Sequence, residues 1–364
     1  MRMTHLRALA PVCPQCLAEQ LHDTGCPEPR PLELEEGDGQ AEEIECGLLR
    51  CLACNAGYPI LAGLPVLVPD PARFIADHLV YFLLPADLPE ALENWLGEAL
   101  GGSGWHEAMR RHCSTYGWDH YGDCDPDEAT CDAASRPGSA VRSLAVAFEN
   151  LAAAPHGPVL DVGCGAGRAS FALAEQVRGL VLGIDLNVPL LRLARQALHT
   201  GEVVYPRRDL GRAYARRRVP FSAACGRQVD FWIADAQQPP FTRGRFGALA
   251  ALNMVDCLER PAEALAALRR VLADGGRAII SVPYDWAEAV TPVSEWIAGA
   301  GGSQSDETDA EAELRTKATA AGFRIVQEWP HQPWRLRLHR RASVTYDTHV
   351  LVLAPDETLD GAIP

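Results

Sequence analysis

The sequence predicts an α/β protein built on an open, doubly wound sheet, with a small cysteine-bearing domain in front of it. Three observations carry this. The run Val159-Leu160-Asp161-Val162 is followed at once by Gly163-Cys164-Gly165-Ala166-Gly167, a strand ending in a turn that opens a helix. Apolar strand-like runs then alternate with helix-like stretches, and each run ends in a polar residue. Two C-x-x-C pairs, Cys13/Cys16 and Cys51/Cys54, stand ahead of all of this.

The glycines at alternate positions let the backbone turn sharply and approach a ligand closely. The second run, 180–184, ends in Asp185, about 20 residues past the glycines, where a carboxylate is placed to bind ribose hydroxyls. A third, 229–234, ends in Asp235-Ala236, and a fourth, 248–252, in Asn253-Met254-Val255-Asp256. A fifth, 277–282, follows the turn Asp274-Gly275-Gly276 and ends in Pro283-Tyr284. Ligands of open α/β sheets bind beyond the carboxyl ends of the strands, so these residues fall where a site is expected. The last strand, 348–353, is expected to run antiparallel to its neighbours.

The G-x-G-x-G spacing with its preceding acid resembles motif I of the Rossmann-like S-adenosylmethionine (SAM) methyltransferases. The resemblance implies a mixed seven-stranded sheet and SAM as cofactor. Asp161, Gly163, Gly165, Gly167, Asp185, Asp235, Ala236 and Asn253 are then the expected cofactor contacts, with Asp235 toward the adenine. Methyl transfer from a sulfonium is an in-line displacement that needs alignment and exclusion of water more than a strong base. Asn253, Asp256 and Tyr284 are expected to orient the acceptor. The segments Pro283-Tyr284-Asp285-Trp286 and Thr291-Pro292 through Trp296, with Tyr346-Asp347-Thr348-His349, resemble the methyltransferase part of the ovothiol-biosynthesis enzymes. That likeness implies methylation of an imidazole nitrogen or a related heteroatom of a small molecule. No sulfoxide-synthase module precedes the domain, and this leaves the acceptor open.

The four cysteines of the knuckles suit a structural zinc ion, since four thiolates close a tetrahedral site and leave no position for catalysis. With the run 58–69, residues 9–73 resemble the zinc-ribbon family that includes the activator subunit of tRNA and rRNA methyltransferases. Residues 17–50 separate the knuckles. The acidic stretch 33–45 within them reads as an exposed loop, and Cys26 and Cys46 are substitute ligands to be considered. The expected division is a zinc ribbon over 1–73, a helical connector or lid over 74–140, and the methyltransferase domain over 141–364. In the connector, 87–100 has helical periodicity, and 105–132 holds His106, His112, Cys113, His120, Cys124 and Cys131 at spacings that match no metal template. A helix over 141–153 leads into the first strand.

Charge and composition bound the partners. Residues 1–140 carry 23 acids and 8 arginines, whereas residues 141–364 carry 25 of each sign. The whole net charge of −15 therefore lies in front, which opposes polyanions and argues against nucleic acid as partner. The arginines at 207, 208, 212, 216, 217 and 218 read as a solvated insertion that offsets nearby acids rather than an RNA patch. Arg335 and Arg337 are candidates for a substrate carboxylate, while His331 and His339 read as structural or exposed. No run reaches the ~20 apolar residues of a membrane helix, so no membrane partner is expected. Twelve cysteines in such a chain fit a reducing, cytoplasmic setting. A small-molecule methyltransferase is the leading reading. An RNA or protein methyltransferase whose ribbon presents the substrate, and a non-catalytic scaffold that docks a protein partner through the ribbon, are the alternatives.

Overall fold

The computed structural model describes residues 1–22, 29–40, 42–85, 88–102, 104–128, 136–154, 156–299 and 310–357. Cys26 and Cys131 lie outside the described residues, as does Asp87 at the start of the expected helix.

The parallel core is built from strands buried on both faces, as the near-continuous apolar runs require. β5 (Val159–Val162), β6 (Val181–Asp185), β9 (Val229–Ala234) and β10 (Phe246–Leu252) are buried along almost their whole length. β11 (Leu272–Val282) pairs parallel to β10, and its glycine turn appears as a register shift, with Gly275 at φ +74°. β12 (Phe323–His339) and β13 (Ala342–Pro355) form a long hairpin, and β13 pairs antiparallel with β11. α8 (Arg168–Gln176) and α9 (Val188–Thr200) cover one face. α10 (Pro261–Val271) and α11 (Ala310–Ala320) cover the other. The start of α9 is fixed by Asn187, whose side chain accepts from Leu190 N–H, with Pro189 in the first turn.

The sheet has eleven strands, because the front segment joins it. β1 (Glu33–Gln40), β2 (Glu43–Arg50), β3 (Gly57–Leu61) and β4 (Leu64–Leu67) form an antiparallel meander. β4 then pairs parallel to β9, Val66 opposite Ile233 and Leu67 opposite Ala234. The edge of the parallel sheet is thus covered rather than exposed, which removes a template for unwanted pairing. The acidic stretch is correspondingly not a loop but most of the β1–β2 hairpin.

The core crosses the same boundary. Leu9, Leu49, Tyr58 and Ile60 share one apolar cluster with Leu160, Ile184, Trp232 and Phe241. α1 (Met3–Leu9) lies on this face. Arg2 N–H donates to Asp230 Oδ2 at 2.8 Å, and His5 Nε2 lies 3.0 Å from Gln228 O. From α9, Arg195 donates to Gly63 O at 3.2 Å and to Glu45 Oε1 at 2.8 Å.

The connector is helical: α3 (Pro71–Leu83), α4 (Glu90–Ala99) and α5 (Trp105–Tyr121), then α6 (Ser139–Ala145) and α7 (Phe148–Ala152) where one helix was expected. The arginine-rich insertion is a β-hairpin, β7 (Glu202–Arg208) and β8 (Tyr214–Pro220), rather than a helix or loop. Its charges meet the connector's acids. Arg207 donates to Glu128, and Arg217 forks onto Asp125 and reaches Asp127 at 2.7 Å. Arg337 donates to the same Glu128 at 2.7 Å, so that guanidinium is engaged inside the fold instead of awaiting a substrate carboxylate. Arg335 donates to Ser343 Oγ, and His331 meets Asp347 on the surface. No helix among the described residues is long and apolar enough to cross a membrane.

Candidate active site and cysteine cluster

The glycine turn links β5 to α8 with Gly163, Gly165 and Gly167 at φ +68°, +54° and +84°. A Cβ on Gly167 would stand 2.6 Å from Phe231 Cζ, so only glycine lets the helix pack this close to β9. Gly165 N–H donates to Asp185 Oδ2 at 2.7 Å, and Asn187 N–H donates to Asp185 Oδ1 at 2.8 Å. The carboxylate at the end of β6 is therefore held against the turn. Asp161 is placed differently. It is 1% exposed and accepts from Ser170 Oγ at 2.5 Å, and burial raises its pKa to about 7. It ties the strand to α8 from below. Asp235 and Ala236 sit half-buried at the end of β9, where Asp235 Oδ1 accepts from Gln237 N–H.

Asn253 and Tyr284 both have left-handed backbones, φ +49° and +58°, at the ends of β10 and β11. Non-glycine residues in this region are uncommon and gather at functional turns. Asn253 N–H donates to Ser281 Oγ, whose own hydroxyl donates to Asn253 Oδ1 at 2.7 Å. Tyr284 OH lies 2.8 Å from His349 Nδ1, and the two rings stack. Asp256 is 3% exposed. Its Oδ2 accepts from Asp285 N–H, its Oδ1 has no partner among the described residues, and burial raises its pKa to about 6. The turn that carries it is pinned by Thr291, whose hydroxyl reaches Asp256 O and Leu258 O, and Trp296 Nε1 donates back to Thr291 O.

Sequence reasoning expected a helical connector or lid over 74–140 but did not identify which side chains of α5 reach the glycine turn. His112, Tyr116 and His120 recur every four residues and so share one face of the helix. Their rings meet edge-on with centroids 6.3 and 6.4 Å apart. His112 Nδ1 lies 3.5 Å from Asn187 Nδ2, and burial, with the nearby carboxylates of Asp119 and Asp185, pushes the Tyr116 hydroxyl well above its ordinary pKa. His120 Nδ1 accepts from Arg168 N–H at 3.1 Å, and a Cβ on Gly165 would touch its ring at 3.4 Å. Tyr121 OH donates to Ala166 O at 2.6 Å. The helix thus crosses the carboxyl ends of β5 and β6. A cavity beside Asp185 is lined by His78, Tyr81, Met109, His112 and Leu186. Burial, helped by Arg168, lowers the His120 pKa to about 3, so its ring is neutral. With Nδ1 accepting, the proton sits on Nε2. The four-residue spacing was the available signal.

Away from this cleft, the sulfurs of Cys13, Cys16, Cys51 and Cys54 lie within 4.8 Å of one another. Cys13 Sγ is 3.6 Å from Cys54 Sγ, and Cys16 Sγ is 3.9 Å from Cys51 Sγ. Four sulfurs at ~2.3 Å from a central ion would stand ~3.8 Å apart in a tetrahedron, so the cluster fits a thiophilic metal. Tyr58 OH lies 3.1 Å from Cys13 Sγ and accepts from Gln15 N–H. Cys46 is exposed and belongs to no such group, and no second metal-ligand cluster occurs among the described residues.

Residues 160–280 match the family described as a methyltransferase domain. The chain carries a SAM-dependent methyltransferase domain. Among curated proteins none matches the sequence. Solved structures to which the chain is similar include the cyclase SpnF, 20% identical, TM-score 0.37, covering 52% of this chain, which spans 58% of it. The CcbJ methyltransferase from Streptomyces caelestis is 18% identical, TM-score 0.39, covering 62% of this chain and 99% of its own. A Haloferax volcanii complex of the Trm112 methyltransferase activator with a methyltransferase is 18% identical, TM-score 0.38, covering 60% and 92%. TM-scores this low carry no argument about substrate or partner.

Proposed function

We propose that the chain transfers the methyl group of SAM to a heteroatom of a small molecule. SAM, when bound, supplies an electrophilic methyl group on a sulfonium. The glycine turn and Asp185 are assigned to its ribose side, Asp235 and Ala236 to the adenine, and Asn253 to the end nearer the methyl group. Asp161 supports the turn from beneath. α5 acts as the cover that excludes water, with the Nε2–H of His120 presented above Gly165. Asp256 and the turn after Tyr284 orient the acceptor, and Tyr284 is itself oriented by His349.

The observation that carries the small-molecule reading is the placement of α5 across the carboxyl ends of β5 and β6, anchored by His120 on Arg168 N–H and Tyr121 on Ala166 O. A covered cleft suits a small acceptor better than a folded polymer. The engagement of Arg207, Arg217 and Arg337 with acids of the chain supports it, since those charges are not offered to phosphates. We assign zinc to the four cysteines. Its role is structural, holding the meander that extends the sheet at β4 and so bracing β9 within the same chain.

The test is transfer from methyl-labelled SAM into total RNA, protein lysate, and a panel of histidine derivatives, amines and thiols. Label in the small-molecule panel supports the proposal. Label confined to RNA or protein overturns it in favour of the polymer reading.

A further inference from the structure

Tyr116 occupies the middle of the α5 face that crosses the strand ends, and its flanking residues fix where it stands. One turn before it, His112 Nδ1 lies 3.5 Å from Asn187 Nδ2 and lines the cavity beside Asp185. One turn after it, the His120 ring lies over Gly165 and accepts from Arg168 N–H. Residues four apart lie one above the other on a helix, so Tyr116 projects into the gap between the Asp185 loop and the glycine turn. After burial, the groups that act on its hydroxyl are Cys257, Asp119, Asp185 and Tyr346. Asp185 ends β6, Cys257 follows β10, and β5 lies between these two strands in the sheet. A group that senses both stands over the carboxyl end of β5. On the cofactor assignment above, this is the stretch from the ribose, at Asp185, to the methyl group, toward Asn253.

Neighbouring tyrosine hydroxyls are engaged: Tyr121 donates to Ala166 O, Tyr346 donates to Asp285 Oδ2, and Tyr284 OH lies 2.8 Å from His349 Nδ1. The Tyr116 hydroxyl has no hydrogen-bond partner among the described residues. The face it belongs to carries no charge near neutral pH. Burial pushes the phenol up and keeps its proton on, and burial lowers His112 and His120 and keeps both rings neutral. Arg168, beneath His120, is paired with Asp123 at 3.0 Å.

We propose that Tyr116 is a specificity-determining residue for the cofactor: its hydroxyl oxygen faces the sulfonium end of SAM and favours the charged methyl donor over the neutral thioether product. This rests on the methyltransferase reading of the same cleft and adds a residue to it. A phenol oxygen offers lone pairs to the polarised C–H groups of a methyl on sulfonium, and an aromatic face attracts positive charge. Methyl transfer leaves the bonding pair on sulfur and cancels its charge. Both attractions therefore fade once the methyl group has left, and the product is held less tightly than the donor.

The experiment is calorimetry of the full chain with SAM and with S-adenosylhomocysteine as separate titrants, in wild type, Tyr116→Phe and Tyr121→Phe. Tyr116→Phe removes the oxygen, keeps the ring and breaks no hydrogen bond of the described chain. Tyr121→Phe removes the anchor of α5 on Ala166 O, so it reports what loosening the whole cover does. The expected result is that Tyr116→Phe weakens SAM about two- to fivefold and leaves S-adenosylhomocysteine unchanged, so the preference for the donor shrinks by that factor. Tyr121→Phe should weaken both ligands in parallel. An unchanged preference in Tyr116→Phe, or a parallel loss of both ligands there, overturns the proposal. If wild type binds neither ligand, the methyltransferase reading falls together with this inference. If wild type binds both and Tyr116→Phe does not move their ratio, the inference falls alone.

Discussion

Asp161→Asn separates the structural from the catalytic part of the glycine turn. The Asp161 carboxyl is buried at the end of β5, and burial raises its pKa from 3.8 to about 7, opposed by the hydrogen bond from Ser170. The folded chain therefore binds this proton more tightly than the unfolded chain does. Between about pH 4 and pH 7 the folded state keeps a proton that the unfolded state has lost, so stability falls as pH rises through that window and levels off above it. Three pKa units correspond to about 4 kcal/mol in full, of which roughly 2–3 kcal/mol is lost between about pH 5 and pH 8. Asp119, also raised to about 7 by burial, contributes a second slope of the same sign. Asparagine can still accept from Ser170 but cannot ionise. Urea unfolding without cofactor is expected to show a stability difference between Asp161→Asn and wild type that moves in favour of the variant by roughly 2–3 kcal/mol between about pH 5 and pH 8. A difference that does not change with pH would refute the burial argument.

Three further outcomes follow from the same geometry. Asp185→Ala removes the carboxylate held by Gly165 and Asn187, and calorimetry should show SAM affinity falling by roughly tenfold or more, because hydrogen bonds to charged groups contribute about 1.5–3 kcal/mol each; equal affinity would remove the ribose assignment. Cys51→Ser should lower bound zinc from one per chain and lower the melting temperature of the whole protein, since Cys51 shares a core with Trp232 and Phe241; an unaffected melt of residues 141–364 would contradict the shared core. Arg195→Met removes the bond to Gly63 O and the pairing with Glu45, which is half-exposed and so contributes little, giving about 1–2 kcal/mol of destabilisation in urea unfolding and faster hydrogen exchange in β3 and β4; unchanged exchange there would show that β4–β9 pairing alone docks the meander.

The parallel strands were legible because burial on both faces leaves an uninterrupted apolar record, and their ends were legible because carboxylates and glycines interrupt it. α5 was not. Its buried residues include His106, Glu107, Arg110, Ser114, Asp119 and His120, so the helix packs polar groups inward and carries no apolar stripe. Its role depends on partners far along the chain, such as Ala166, Arg168 and Asn187, which local pattern cannot supply. The β7–β8 hairpin was obscured for a related reason: consecutive arginines, at 207–208 and 216–218, read as a charge run until acids at 125–128 are brought opposite Arg207 and Arg217.

Those pairings also change what the charge asymmetry means. Read along the chain, the front half is uniformly acidic. In the fold, the acids at 125, 127 and 128 are matched by arginines of the catalytic part, while those of the β1–β2 hairpin are largely exposed at one end of the eleven-stranded sheet. Long-range repulsion of polyanions therefore originates mainly at the far edge of the molecule, where salt screens it within about 10 Å. Inside the fold, buried carboxylates that meet no cation include Asp161, Asp185 and Asp256. The field of a buried carboxylate such as Asp185 acts over a few ångströms and is screened less than the exposed charges of the hairpin. The net charge of −15 and the charge at the end of β6 thus come from different residues, and neutralising the β1–β2 acids should leave SAM affinity intact.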